Sequence, residues 1–264
     1  MKRIVFQLLR CLILAEADLL INNFIMTDCC FKDYFIYNIN MSKITYFCIL
    51  FLLSISISYA ENINVFEFTE KELLELKIRK VRGADNKTIY TLGSNENGNY
   101  YKAIADNAAS GLGKEIKIDL NKTPFLNITW KVEQDLKGIK ENTKKGHDYA
   151  ARVFAIKKTG ATPLSNRAIN YVFSSNNEIG KNWPSPYTKK SIDNILSTTN
   201  ENMNEWVTVK SNVKDDFKKF HDLDLNEIDG IAIMTDTDNS KLKAITYYQN
   251  IFFSSEILFL QIFF

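Results

Sequence analysis

Beyond residue 60, polar and apolar residues alternate with a period of two in many short stretches. The clearest runs from Phe125 to Val132: Leu126, Ile128, Trp130 and Val132 point one way, and Asn127, Thr129 and Lys131 the other. That is the pattern of a strand with one buried face. Similar stretches predict strands at residues 62–68, 88–92, 100–105, 115–119, 150–156, 168–174, 205–210, 228–235 and 244–253. Turn-rich segments such as Gly93-Ser94-Asn95-Glu96-Asn97-Gly98 and Ser174-Ser175-Asn176-Asn177 separate them. Short strands at this spacing predict an all-β fold, two antiparallel sheets packed as a β-sandwich. Helical periodicity is scarce, so one or two short helices are expected, at residues 67–77 and 213–221. In the second, Val213, Phe217 and Phe220 form one apolar stripe.

The beginning of the chain breaks this pattern. From Met41 it reads MSKITYFCILFLLSISISYA: a basic Lys43, an apolar run over residues 44–57, and Ser58-Tyr59-Ala60 as a small-x-small cleavage site. This is the layout of a signal peptide. The apolar run is shorter than the ~20 residues a bilayer span needs, so no stable membrane span is expected after cleavage. The product is then expected to be periplasmic or secreted, a retained anchor being the rival. A signal peptide should begin a chain, so residues 1–40 are expected to be upstream sequence translated in error, with a long or bipartite leader as the alternative. The expected organisation is an upstream segment at 1–40, a signal peptide at 41–60, one β-sandwich domain at 61–256 and an apolar tail at 257–264. Cys11, Cys29, Cys30 and Cys48 all precede the sandwich. Disulfides, thiolate metal sites and cysteine nucleophiles are therefore excluded from it.

Charge narrows the partners. The 33 basic and 31 acidic residues are spread evenly, without the basic stripe that would neutralise a phosphate backbone, so nucleic acid is not an expected partner. Catalytic templates mostly fail: there is no glycine-rich phosphate loop, no nucleophile elbow and no His-x-x-x-His pair. The two histidines, His147 and His221, read as surface or packing residues.

Three clusters remain. At Met234-Thr235-Asp236-Thr237-Asp238-Asn239 an apolar strand runs into a loop carrying hard oxygen ligands. Asp236, Asp238 and Asn239 would suit calcium, which takes oxygens from flexible loops. The glycine and the distant glutamate of an EF-hand loop are missing, and an Asx-type turn after a strand is the other explanation. At Gly146-His147-Asp148-Tyr149-Ala150-Ala151-Arg152, Asp148 sits at a strand entrance and Arg152 within an otherwise apolar strand. An unpaired buried charge is costly, so Arg152 is expected to pair with Asp236 or Asp238, or to use its planar fork on a ligand. Aromatic and polar residues mix around Asn170 and in Trp183-Pro184-Ser185-Pro186-Tyr187. The prolines stiffen that loop, and Trp183 and Tyr187 could stack on a sugar ring or a peptide. Trp130 and Trp206 are expected to plug the end of the sandwich.

The segments TPFLNITWKVE, KKGHDYAARVF, AINYVFSS, NWPSPYT, IDGIAIMTDTDN and ITYYQNIFF, in that order over residues 62–256, resemble the bacterial family called domain of unknown function 3047. The resemblance implies an exported protein with a galactose-binding-like jelly-roll sandwich and carries over no activity. His147 stands where such sequences often have a second acid, and Phe173 where tryptophan is common, which weakens a metal site in which that acid took part. Jelly-roll relatives often bind carbohydrate, an analogy of fold alone.

The reading preferred at this point is a non-catalytic envelope protein that binds a saccharide or other glycan through Arg152, Asn170, Trp183, Tyr187 and Asp148, beside calcium at Asp236, Asp238 and Asn239. The alternatives are a glycosidase or lyase working through Asp148, Asp236 and Asp238 as paired carboxylates, and a structural or assembly protein of the envelope.

Overall fold

A computed structural model of the chain describes residues 61–255 apart from Lys77, Pro163 and Leu164. The four cysteines, the expected upstream segment and signal peptide, and the apolar tail lie outside the described residues.

The strands are β1 (Asn62–Asn64), β2 (Ile78–Lys80), β3 (Ile89–Asn95), β4 (Gly98–Asp106), β5 (Ala109–Asp119), β6 (Phe125–Gln134), β7 (Ala151–Lys157), β8 (Arg167–Ser174), β9 (Asn182–Ser185), β10 (Thr188–Thr198), β11 (Val207–Asn212), β12 (Glu227–Asp236) and β13 (Lys243–Ser254). Sheet 1 has the order β11-β6-β13-β4-β3, with β1 pairing the far end of β13. Sheet 2 has the order β2-β5-β12-β7-β8-β10-β9. Every pairing is antiparallel except that of β8 with β10, which is parallel. This is the expected β-sandwich with one departure from an all-antiparallel design.

The alternation in the sequence is the alternation of the core. Leu126, Ile128, Trp130 and Val132 of β6 are all fully buried. They meet Leu112, Val153, Ala155, Phe173, Ile231 and Ile233 from sheet 2 in one apolar cluster. Each such side chain contributes about 1.5–3 kcal/mol through burial, which is why the pattern dictates the register.

The helices are shorter than their sequence signals. The expected helix at 67–77 is α1 (Glu70–Glu75), α2 (Thr199–Asn202) is a single turn, and α3 (Val213–His221) has the expected bounds. Thr69 caps α1 by accepting from the Glu72 amide. The Glu72 carboxylate reaches back to the amides of Glu67 and Phe68, the Tyr101 hydroxyl and Lys114 Nζ. This is a capping box extended into a clamp on the preceding turn, where Phe68 takes a left-handed φ of 51°. Asn212 caps α3, and Asp222, also left-handed, ends it. Among the described residues no helix is long and apolar enough to cross a membrane.

Two strand expectations change. The expected strand at 62–68 stops at Asn64. The eleven-residue β10, for which no strand was expected, lies between β8 and β9. Trp130 lies in the core, but Trp206 does not plug the sandwich: it is half-buried beside Tyr100 and Tyr247.

Candidate functional site

Alternation along β7 sends Ala151, Val153 and Ala155 into the core and turns Arg152 to the other face of sheet 2. Paired positions on neighbouring strands share a face, so Arg152 of β7 stands next to Val172 of β8, and Asn170 of β8 next to Asp193 of β10, which pairs with Trp183 of β9. Asp236 lies at the end of β12, two residues beyond the partner of Arg152. The loop holding His147, Asp148 and Tyr149, the loop holding Asp238 and Asn239, and Tyr187 complete the site.

Arg152 is 3 % exposed and fully engaged. Its Nε donates to Asp236 Oδ1 at 2.7 Å, and Nη2 donates to Asp236 Oδ2 at 2.5 Å and to the His147 carbonyl at 2.6 Å. The guanidinium also lies 4.5 Å from the centre of the Tyr149 ring. The expected ion pair therefore forms, with Asp236 and not with Asp238, and the two-point geometry that distinguishes arginine from lysine fixes it.

Asp148 is fully buried. It accepts from the Asn239 amide, the Asn239 side-chain nitrogen at 2.8 Å and the Ser240 amide. Asn239 in turn accepts from the Tyr187 hydroxyl, which also reaches the Lys144 carbonyl at 3.0 Å. Tyr187 itself is 56 % exposed, so its ring is a solvent-facing aromatic surface tethered by its hydroxyl.

Oxygens of Asp148, Asp236 and Asp238 lie within 4.8 Å of one another, close enough to hold one cation. Asn239, expected as a further ligand, uses its amide nitrogen to brace Asp148 and its oxygen to receive Tyr187. The carboxylates press on one another. Burial pushes Asp236 up to about 8, Arg152 opposes this, and the Asp148 and Asp238 charges add to it. Burial followed by the Asp148 charge also raises Asp238.

Beside this cluster lies a third buried carboxylate, one that sequence reasoning missed. Asp193, fully buried, faces His147 Nε2 at 2.7 Å, accepts from Asn170 Nδ2 at 2.6 Å and lies 3.3 Å from the Tyr149 hydroxyl. Burial and the Arg152 charge lower the His147 pKa, against the pull of Asp193, so His147 is neutral at pH 7 and donates from Nε2. Asp148, Asp193, Asp236 and Asp238 thus place four acidic side chains around a single guanidinium in a largely buried cluster.

Two buried polar atoms here make no hydrogen bond of good geometry: the Asn170 Oδ1 acceptor, and the Trp183 Nε1 donor, which lies near the Tyr149 hydroxyl without aligning on it. They flank Asp193 from either side through the pairings above. Trp183 packs with Tyr149, Val172 and Ile195 in a small apolar cluster of its own.

Every residue expected at a ligand or metal site thus belongs to one region. Arg152, Asp148, Asp236 and Asn170 are buried in it, while Tyr187, Trp183, Asp238 and Asn239 form its outer side. Asp148 and Asp236, two of the three carboxylates offered for glycosidase or lyase chemistry, are 0 % and 2 % exposed and committed to backbone amides and to Arg152. Paired-carboxylate hydrolysis needs groups that reach a substrate across a cleft.

Similarities to solved structures are remote. A family 29 carbohydrate-binding module from Piromyces equi is 12 % identical, covering 75 % of this chain and 93 % of that one, with a TM-score of 0.33. The xyloglucanase domain of the effector NopAA from Sinorhizobium fredii is 11 % identical, covering 68 % and 93 %, with a TM-score of 0.39. Lectin I-B4 from Griffonia simplicifolia is 13 % identical, covering 75 % and 99 %, with a TM-score of 0.31. No curated protein matches the chain. The family model described as "Protein of unknown function (DUF3047)" matches residues 75–252, and the chain belongs to that family.

Proposed function

We propose that the protein is an exported, periplasmic or secreted, saccharide-binding β-sandwich without catalytic activity of its own, with its site at the outer side of the Asp193 and Asp236 network. The observation that carries this reading is the pair of orphaned atoms. A buried acceptor on β8 and a buried donor on β9, on either side of Asp193, each call for a group that can donate or accept, since unpaired buried polar atoms are uncommon and costly. A sugar hydroxyl is such a group. The exposed Tyr187 ring beside it offers the apolar surface on which a sugar ring rests.

Calcium completes the proposal. Three carboxylates within reach of one ion supply hard ligands, and the six to eight oxygens calcium takes leave places for water or ligand hydroxyls. The ion would hold the loops of Asp148 and Asp238 together and so fix Tyr187 through Asn239.

The test is titration calorimetry against a panel of glycans, with calcium and with EGTA. Trp183→Phe keeps an aromatic ring but removes the pyrrole half of the indole with its N–H, so affinity should fall at least 3- to 10-fold, the worth of one neutral hydrogen bond being on that order. A panel without a single ligand in either condition, or a Trp183→Phe variant that binds as well as the wild type, would sink the reading.

A further inference from the structure

The solvent face of sheet 1, on the other side of the core, carries features that the site above does not use. Alternation puts Trp206 and Thr208 on one side of β11 and its approach, with Thr129 and Lys131 of β6 and Tyr247 and Gln249 of β13 on the same face. The rings of Tyr100, Trp206 and Tyr247 lie 5.3–6.0 Å apart between centres. Lys131 sits 4.4 Å and Lys102 5.2 Å from the centre of the Tyr247 ring, and the Tyr247 hydroxyl is held by Glu133. Gly93 permits the arrangement: a Cβ there would fall 2.5 Å from the Tyr100 ring, so only glycine lets that ring lie across β3. The three rings, contributed by β4, β13 and the approach to β11, therefore converge into one compact aromatic patch about 6 Å across between centres.

Next to the patch is a groove of about 520 Å³ whose polar side chains are Asn62, Asn64, Asn99, Asn250, Thr129 and Thr208, with Glu67 the one charged residue on its wall. The Thr129 and Thr208 hydroxyls, 2.8 Å apart, mark where groove and aromatic patch meet. The side-chain amides of Asn62, Asn64 and Asn250 make no hydrogen bond to another described residue. Asn250 adopts a left-handed φ of 48° in the stretch where the pairing of β13 with β6 shifts register. A bulge of this kind re-aims side chains, and here Asn250 lines the groove.

A groove lined by amides and hydroxyls, with one carboxylate on its wall, next to fixed aromatic rings whose neighbouring Lys102, Lys131 and Glu133 balance one another to within one charge and are engaged on Tyr247, fits a ligand rich in hydroxyls, apolar on its ring faces and uncharged. We infer that this face of sheet 1 is a second binding surface, which takes a neutral polysaccharide chain with ring faces against Trp206 and Tyr100 and hydroxyls in the asparagine groove. It shares a ligand class with the function proposed above but none of its residues, and it needs no calcium.

Affinity electrophoresis in gels containing hydroxyethyl cellulose, glucomannan or galactan, each run with calcium and with EGTA, tests it. The expected result is retardation in at least one gel that persists in EGTA. Affinity should fall at least tenfold in Trp206→Ala and be largely kept in Trp206→Phe, which retains an aromatic ring. Melting temperatures of the variants verify that each is folded, and Asn250→Gly, which suits the left-handed backbone, should weaken retardation without a loss of stability. No retardation in EGTA in any gel overturns the inference, as does a Trp206→Ala variant that is retarded like the wild type. Retardation that needs calcium, survives Trp206→Ala and is lost in Tyr187→Ala overturns it while leaving the Asp193 and Asp236 site standing. Light scattering that finds a dimer broken by Trp206→Ala assigns the face to self-association instead.

Discussion

Arg152 and Asp236 meet through two parallel hydrogen bonds, Nε to Oδ1 at 2.7 Å and Nη2 to Oδ2 at 2.5 Å, with 3 % and 2 % of the residues exposed. The two halves of this pair are not equivalent. A buried carboxylate left alone can take up a proton, whereas a guanidinium stays charged under all folding conditions. Asp236→Ala should therefore cost on the order of 3 to 5 kcal/mol, the usual cost of stranding a buried charge. Arg152→Met keeps apolar volume, lets Asp236 protonate, and should cost clearly less. Chemical denaturation of both variants at pH 9, above the value of about 8 to which Asp236 is raised and hence with the pair charged, decides it; equal small losses would mean that the pair contributes nothing.

The pH dependence of calcium binding has a definite sign. Asp236 is raised to about 8 in the folded protein, so between the unfolded carboxylate range near 4 and about 8 the folded state holds the extra proton, and stability from this group falls as pH rises through that window. Calcium needs the ionised form and competes with that proton. The rise in melting temperature on adding calcium should therefore be larger at pH 8 than at pH 5. An equal rise at both pH values would place the ion elsewhere.

His147 works in the opposite sense. Its folded pKa is lowered by burial and by Arg152, so from the unfolded value near 6.5 downward the unfolded chain binds the proton more readily, and stability is lost as pH falls. His147→Gln can still donate to Asp193 but cannot titrate. Its stability curve should be flatter below pH 6.5 than that of the wild type, and parallel acid limbs in urea titrations would contradict the assignment.

The Glu72 clamp should be the dominant contact of its region. The carboxylate accepts from two backbone amides and the Tyr101 hydroxyl and pairs with Lys114. Hydrogen bonds to a charged, buried group are worth about 1.5–3 kcal/mol each in net terms. Glu72→Ala should cost at least that much, and Thr69→Ala, which removes only the cap, about 1 kcal/mol. Urea denaturation that ranks the two the other way would show that the Glu72 contacts contribute little.

Strands were legible wherever an apolar face alternates with a polar one, as in β6, or a short apolar run stands between polar segments, as in β7 and β12. β10 was not, for a physical reason. Its Asp193, Asn194, Ser197 and Thr198 are all buried, and its pairing with β8 shifts between Ile195 and Ser197, so no period of two survives in the sequence. The site divides along the same line. Arg152 in an apolar strand required a carboxylate, and the acidic loop after β12 supplied it. Asp193 gave no such signal, because the residues that bury it, His147, Tyr149 and Asn170, come from two other segments that only the parallel β8–β10 pairing brings to it. Trp206 was misplaced because an aromatic residue next to a strand reads alike whether it closes a core or lies on the outer face.

The central place of β13 governs the order in which the molecule can be made. It pairs with β1, β4 and β6, and the pairings in sheet 1 that do without it are β3 with β4 and β6 with β11. Until residues 243–254 have left the ribosome, sheet 1 is two unjoined strand pairs with apolar faces exposed, and closing it brings Asn62 against Ser254 across almost the whole described chain. Such long-range closure is slow. A chain cut before residue 243 would leave the β3–β4 and β6–β11 pairs unjoined, with the apolar faces that β13 covers open to proteases and to other chains.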